Sequence, residues 1–333
     1  MDLDSFVARH RAEWDRLATL VKRRRLTGAE CDELIESYQR VATQLSTVRA
    51  QAPDPALVSR LSTLVARARG RATGVHSVAS SDVARFFWVT FPVTVYRARW
   101  WVVAAAAGSI LVAFALGAWV ATHPEIQSSL AAPQDVKQLV ENDFEDYYSS
   151  APAGSFAARV WTNNAWVAAL SIAFGGLLGL PVLWVLWQNA ANVGVVGGFM
   201  AANDRLDLFF GLILPHGLLE LTAVFVAAGV GLRLGWTLIE PGRHRTRAVA
   251  FAQEGRAAMS AAVGLVVVLL VSGVIEAFVT PSGLPTWARI AIGVLALAGF
   301  VAYVAVLGRR GVAAGETGDL TESEAGSVAP MSG

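Results

Sequence analysis

The sequence has 333 residues, 54% of them hydrophobic and only 16% charged, with a formal net charge of +1. Soluble domains carry about 25% charged residues, so a chain that is water-soluble throughout is excluded, and the near-neutral balance gives no reason to expect a nucleic-acid partner. The single cysteine, Cys31, excludes an intrachain disulfide and a zinc cluster built on cysteine.

Hydrophobicity is unevenly distributed. Residues 1–99 read like ordinary soluble helix, and nearly every long uncharged run lies after residue 99. The start, Met1-Asp2-Leu3-Asp4, has neither a basic nor an apolar leader region, so the first transmembrane segment is expected to serve as the insertion signal.

Taken in order, residues 5–25 place Phe6, Trp14, Leu17, Leu20 and Val21 at helical spacing. Thr27 and Glu30 form a capping box ahead of a second helix over about 28–50, because each side chain can satisfy an orphan amide. A third helix over about 56–72 pairs Leu57, Leu61, Leu64 and Val65 with four arginines. Residues 1–75 are therefore expected to form a small cytoplasmic helical domain. Residues 76–99 read as a linker followed by an interfacial amphipathic helix, since Phe86, Phe87, Trp88, Phe91, Tyr96, Arg97 and Arg99 suit headgroup depth.

Crossing hydrocarbon takes about 20 apolar residues. Candidate spans are 100–122, 161–187, 188–203, 208–239, 257–280 and 286–308. The stretch 188–203 is short and rich in Gly and Asn. Counting it as a full crossing places three basic groups (Arg97 and Arg99; Arg243, Arg245, Arg247 and Arg256; Arg309 and Arg310) on one side, as the positive-inside rule favours. The expected fold is an all-α polytopic membrane helix bundle of about six spans over 100–310, in the cell membrane, with both termini cytoplasmic. The extracytoplasmic segment 123–160 should contain an acidic amphipathic helix over 134–148, and 311–333 reads as a disordered tail.

Ionisable groups inside such segments are expensive and call for a role. His216 and Glu220 stand four residues apart on one helix face, between Pro215 and Gly217, where a kink is expected. Glu276, with Asn189 and Asn192, completes a candidate intramembrane polar site. Gly175 and Gly179, Gly194 and Gly198, and Gly231 and Gly235 have the spacing that lets helix backbones approach, within the chain or in a homo-oligomer. The sequence has no HExxH motif, phosphate-binding loop or nucleophile elbow. A His/Glu pair at this spacing supplies at most two metal ligands, so no catalytic residue, cofactor or metal is assigned.

The run Asn163-Asn164, Asn192 with Gly194, Pro215-His216-Gly217…Glu220-Leu221, Gly229…Gly231, Gly273…Glu276-Ala277…Pro281 and the Phe91-Pro92 stretch resembles the stage II sporulation protein M family over about residues 80–310. Ala190 departs from the pattern, where glycine is expected. The N-terminal helical domain and the Gly/Ser/Glu tail resemble the actinobacterial branch. The resemblance implies a membrane scaffold. In spore formers such a protein recruits the peptidoglycan-degrading stage II sporulation proteins D and P; elsewhere it is encoded beside a MoxR-type AAA ATPase. The leading reading is thus a non-enzymatic scaffold of a cell-envelope complex, with the lipid bilayer and a cell-wall hydrolase complex or MoxR-type system as partners. The alternative is a transporter or channel centred on the His/Glu site. A metal-dependent intramembrane hydrolase is a remote third.

Overall fold

The computed structural model describes residues 2–23, 26–51, 54–72, 80–144 and 153–319, and every regular element among them is helical. The chain divides into two compact units, one dominated by residues 1–82 and the other spanning Val83–Asp319.

In the first unit, α1 (Leu3–Lys22), α2 (Gly28–Gln51) and α3 (Pro55–Ala72) enclose a core of their own. Trp14, Leu17 and Leu20 meet Leu34, Val41, Leu45, Val48, Leu61 and Ala68. Thr27 and Glu30 form the reciprocal cap: the Thr27 amide donates to the Glu30 carboxylate at 2.9 Å, and the Glu30 amide to the Thr27 hydroxyl at 3.4 Å. Trp14 keeps its indole N–H satisfied inside the core by donating to Gln44 at 2.6 Å. Burial works against the Glu13 carboxylate, but donors from Arg40 and Gln44 prevail and hold its pKa below the ordinary value.

The second unit opens within α4 (Ser80–Arg85) and continues through a π turn (Phe86–Thr90) and α5 (Phe91–Arg97). Much of this aromatic stretch, expected to lie in the membrane interface, packs against the bundle. Phe91, Val93 and Val95 are almost wholly enclosed; Gly264, with no side chain, receives the Phe91 ring on its backbone. Trp88 stays exposed. The expected linker from 76 falls partly on residues 76–79, outside the described residues.

Among the described residues, four helical segments are long and apolar enough to cross a membrane: Arg99–Thr122 (α6), Leu206–Ile239 (α11), Arg247–Val279 (α12, Arg247–Val274, with a π turn) and Thr286–Ala313. The last of these comprises α13 (Thr286–Tyr303), a π turn and α14 (Arg309–Ala313). Trp100, Leu111, Phe114 and Leu295 are each about 70% exposed. A bare apolar surface of this kind suits lipid contact, and the molecule is a membrane protein. Between α6 and α11 come α7 (Pro124–Leu130), α8 (Pro133–Gln138), α9 (Ala153–Gly175) and α10 (Leu180–Ala202). The break before α10 falls at 176–179, where Leu178 and Gly179 take positive φ, so the expected 187–188 boundary lies inside α10. Trp and Asn punctuate that helix in sequence, but only the Gly-Leu-Leu-Gly run reverses the chain.

Helix α11 is the central post. Ala223, Val226, Ala227, Val230 and Leu234 pack against Phe91, Ala168, Ile172, Ala258, Ala261 and Leu265. Glycines set the spacing: a Cβ on Gly231 would collide with the Ser171 carbonyl oxygen, and one on Gly194 would lie 2.6 Å from the carbonyl oxygen of Ala113 in α6. The acidic segment covers one end of the bundle, with Val136, Val140 and Phe144 packed on Val120, Phe199, Met200 and Leu212. Residues 145–148 of that expected helix lie outside the described residues.

At the opposite end the expected disordered tail is shortened. Residues 314–319 follow a defined path, with positive φ at Gly315 and Gly318. Arg97 donates to the Thr317 carbonyl at 2.9 Å, Thr94 to that of Gly318 at 3.0 Å, and Arg256 grips Asp319 through two 2.7 Å bonds. Residues 320–333 lie outside the described residues.

Gly231→Ala should destabilise the detergent-solubilised protein by about 1–3 kcal/mol through overpacking. Gly299→Ala, where a Cβ meets nothing within 4 Å, should gain up to about 1 kcal/mol of helix propensity. Thermal unfolding of the two variants side by side checks both.

Candidate functional site

The polar site grows from two facing stripes. On α11, His216 and Glu220 are one turn apart. On α12 and its continuation, Leu265, Leu269, Ser272, Glu276 and Thr280 recur every three or four residues and are all buried. Leu265 and Leu269 meet the apolar half of α11, while Ser272, Glu276 and Thr280 meet the half that carries His216 and Glu220. The helix changes to a π turn at Ile275–Val279, where Glu276 is set. Such turns alter the register of one helix against the next and recur at functional positions.

The contacts are specific. His216 Nδ1 lies 3.2 Å from the Thr280 hydroxyl, and Nε2 lies 3.7 Å from Glu276 Oε1. The Ser272 hydroxyl sits between two acceptors, the His216 carbonyl at 3.1 Å and Glu220 Oε2 at 3.4 Å. One ligand-capable atom from each of His216, Glu220 and Glu276 falls within 4.8 Å of the others. His216 is 6% exposed and Glu276 2%, and Glu276 Oε2 has no hydrogen-bond partner among the described residues. Arg289 reaches past the cluster to the Thr280 carbonyl at 2.6 Å and the Thr286 hydroxyl at 3.1 Å; among the described residues it forms no salt bridge with either carboxylate.

Packing around the kink residues explains why the cluster can form. Pro215 stays inside α11 and withholds one amide from the helix. Gly293 of α13 packs directly on the backbone of that turn, since a Cβ there would stand 2.6 Å from the Leu214 carbonyl oxygen. Gly217 faces Ile213 of its own helix.

The structure thus brings together His216, Glu220 and Glu276 but leaves the two amides elsewhere. Asn189 donates to the Val185 carbonyl of α10 at 2.9 Å, and Asn192 is exposed on the same helix. Gly194 and Gly198 serve the α6–α10 contact. The His216/Glu220 pair on α11 offers two ligand atoms, and Glu276 from the neighbouring helix adds a third. Ser272, Thr280 and Gly293 were not singled out from the sequence. Ser272 and Thr280 could have been found by extending the i, i+4 stripe on either side of Glu276; Gly293 carries no local signal.

Ser272→Ala should cost about 0.5–1.5 kcal/mol, since it removes a hydroxyl that serves two acceptors across helices. Ser109 is buried with its hydroxyl unpartnered among the described residues, so Ser109→Ala should be neutral or stabilising. Chemical unfolding in mixed micelles discriminates the two.

Comparison with known proteins bears on the same region. The family described as stage II sporulation protein M matches residues 106–281, which include all three ionisable residues of the cluster. A domain of unknown function (DUF8413) matches residues 4–74, the three-helix unit. The uncharacterized protein MJ0793 of Methanocaldococcus jannaschii is 37% identical over 76 residues, which is 22% of this chain and 43% of that relative. The aligned part thus spans less than half of the relative's length, and no solved structure matches. With more than half of its length matched to the one family, the chain belongs to the stage II sporulation protein M family.

Proposed function

We propose that the protein is a non-enzymatic scaffold in the cytoplasmic membrane, with six spans and both termini cytoplasmic, that organises a cell-envelope or peptidoglycan-remodelling complex. One observation carries the reading: a three-helix domain with its own apolar core and a surface studded with Arg–Glu pairs is joined in one chain to a glycine-packed membrane bundle. Such a domain can present a binding face while the bundle holds it at the membrane. By family analogy the partners are a cell-wall hydrolase complex or a MoxR-type ATPase system.

Two features support six spans. Helices α9 and α10 have 23 residues each, and at about 1.5 Å per residue that length matches the roughly 30 Å of hydrocarbon. Arg97, Arg233 and Arg256 also gather at one end of the bundle, around Glu254 and Asp319, which accords with one basic, inner face. Burial, with Arg233 nearby, lowers the Arg97 pKa, and Glu254 opposes the shift.

Because Cys31 is the only cysteine, Cys31→Ser provides a clean background for single-cysteine labelling. Arg245→Cys should resist impermeant maleimide on intact cells and Glu125→Cys should react; the reverse pattern would refute the topology. Crosslinking followed by mass spectrometry should recover defined envelope proteins with the full chain and lose them on deletion of residues 1–75. An identical set after deletion, or none from either chain, would remove the scaffold reading.

The buried cluster favours a second reading, transport through the bundle, because intramembrane ionisable groups commonly line ion pathways. Glu220→Gln and His216→Ala should then abolish proton or divalent-cation flux in proteoliposomes while leaving the elution profile unchanged. A wild-type protein without flux would dismiss this reading.

A further inference from the structure

We propose that His216, Glu220 and Glu276 form a binding site for a first-row divalent cation, of which Zn²⁺ is the natural probe. The inference does not depend on the scaffold reading, since an ion here could brace a scaffold or serve a transporter.

Geometry is the first support. The 3.7 Å between His216 Nε2 and Glu276 Oε1 is too long for a hydrogen bond. It is close to the separation of two ligands on one tetrahedral ion with bonds of about 2.1 Å. The Glu220 carboxylate completes a triangle in which all three atoms lie within 4.8 Å, so small side-chain rotations suffice for closure.

The second support is independent. Glu276 is 98% buried by its 2% exposure, yet its Oε2 has no hydrogen-bond partner among the described residues. A carboxylate in apolar surroundings without donors is strongly disfavoured unless paired or coordinated. Of the described donors nearby, Ser272 is engaged with Glu220 and the His216 carbonyl, and Arg289 spends its two terminal nitrogens on Thr280 and Thr286; its Nε is unpartnered among the described residues but makes no bond to Glu276. Two carboxylates and a neutral imidazole carry two negative charges, which one divalent ion balances.

The surroundings also match what metal sites need. Ligating histidines are usually oriented through their other ring nitrogen, and His216 Nδ1 meets the Thr280 hydroxyl. Nitrogen and carboxylate donors in one set suit Zn²⁺, Mn²⁺ or Fe²⁺ over Ca²⁺ or Mg²⁺. Three protein ligands leave a further position for water. The competing chemistry for the same atoms is a proton shared between the carboxylates, which would leave no metal to find.

The test uses the full chain, purified in mild detergent with an affinity tag free of histidine. Elemental analysis, then chelation and titration with ZnCl₂, should give about one ion per chain held by the cluster. Glu276→Gln, near-isosteric, should lose that ion while keeping the metal-free melting temperature and elution profile. Thr280→Val should weaken binding by roughly 10- to 100-fold through its effect on the imidazole. Added Zn²⁺ should raise the melting temperature of the wild type and not of Glu276→Gln. A wild-type chain that takes up no stoichiometric Zn²⁺, Mn²⁺ or Fe²⁺ would overturn the proposal. So would Glu276→Gln and His216→Ala chains that bind as tightly as the wild type.

Discussion

Hydrocarbon offers no hydrogen bonds, and that one constraint organises the whole of this bundle. Polar groups carried into the apolar region find their partners on the same helix or on a helix close enough to touch, with Ser109, one Glu276 oxygen and the Arg289 Nε as exceptions among the described residues. Asn164, Asn189, Thr222 and Ser260 take the first course, each donating to a carbonyl four residues back. His216, Glu220, Ser272 and Thr280 take the second, and so depend on how closely α11 and α12 approach.

Glycine sets that approach elsewhere along the same post. Gly231 lets the α9 backbone come against α11, Gly264 admits the Phe91 ring, and Gly293 seats α13 on the Pro215 turn. Lipid tails are as apolar as leucine, so burying side chains gains little between helices. Contact between backbones, made over a large area at short range, takes its place. This accounts for the small residues that line α11 from Ala223 to Gly235, and for bulky Trp and Leu on the outward faces of α6 and α13.

Polarity divides the bundle lengthwise. One end gathers Arg97, Arg233, Glu254, Arg256 and the returning segment through Asp319, all half-buried and paired. His216, Glu220 and Glu276 lie on the N-terminal half of α11 and beyond the C-terminus of α12, away from those arginines along both helices. Guanidinium groups at the first end are long enough to reach water or carboxylates. Glu276 is held inside on the stripe it shares with Leu265 and Leu269, facing Glu220 of α11, and both carboxylates depend on their immediate neighbours for compensation.

Much of this was legible in the chain itself. Uncharged runs longer than a soluble core requires dictate membrane helices, because length and transfer free energy are local properties of a segment. The Thr27–Glu30 cap and the i, i+4 placement of His216 and Glu220 are likewise set within a few residues. Tertiary packing alone decided the rest. Whether Phe91 lies at a surface or inside depends on a glycine 173 positions away, and whether residues 314–319 have a fixed path depends on Thr94, Arg97 and Arg256. Glu276 joins His216 and Glu220, while Asn192 stays outside, because separation along the chain says nothing about which faces of two helices meet. That outcome rests on the register between α11 and the π turn, which many weak contacts fix together and no single stretch of sequence encodes.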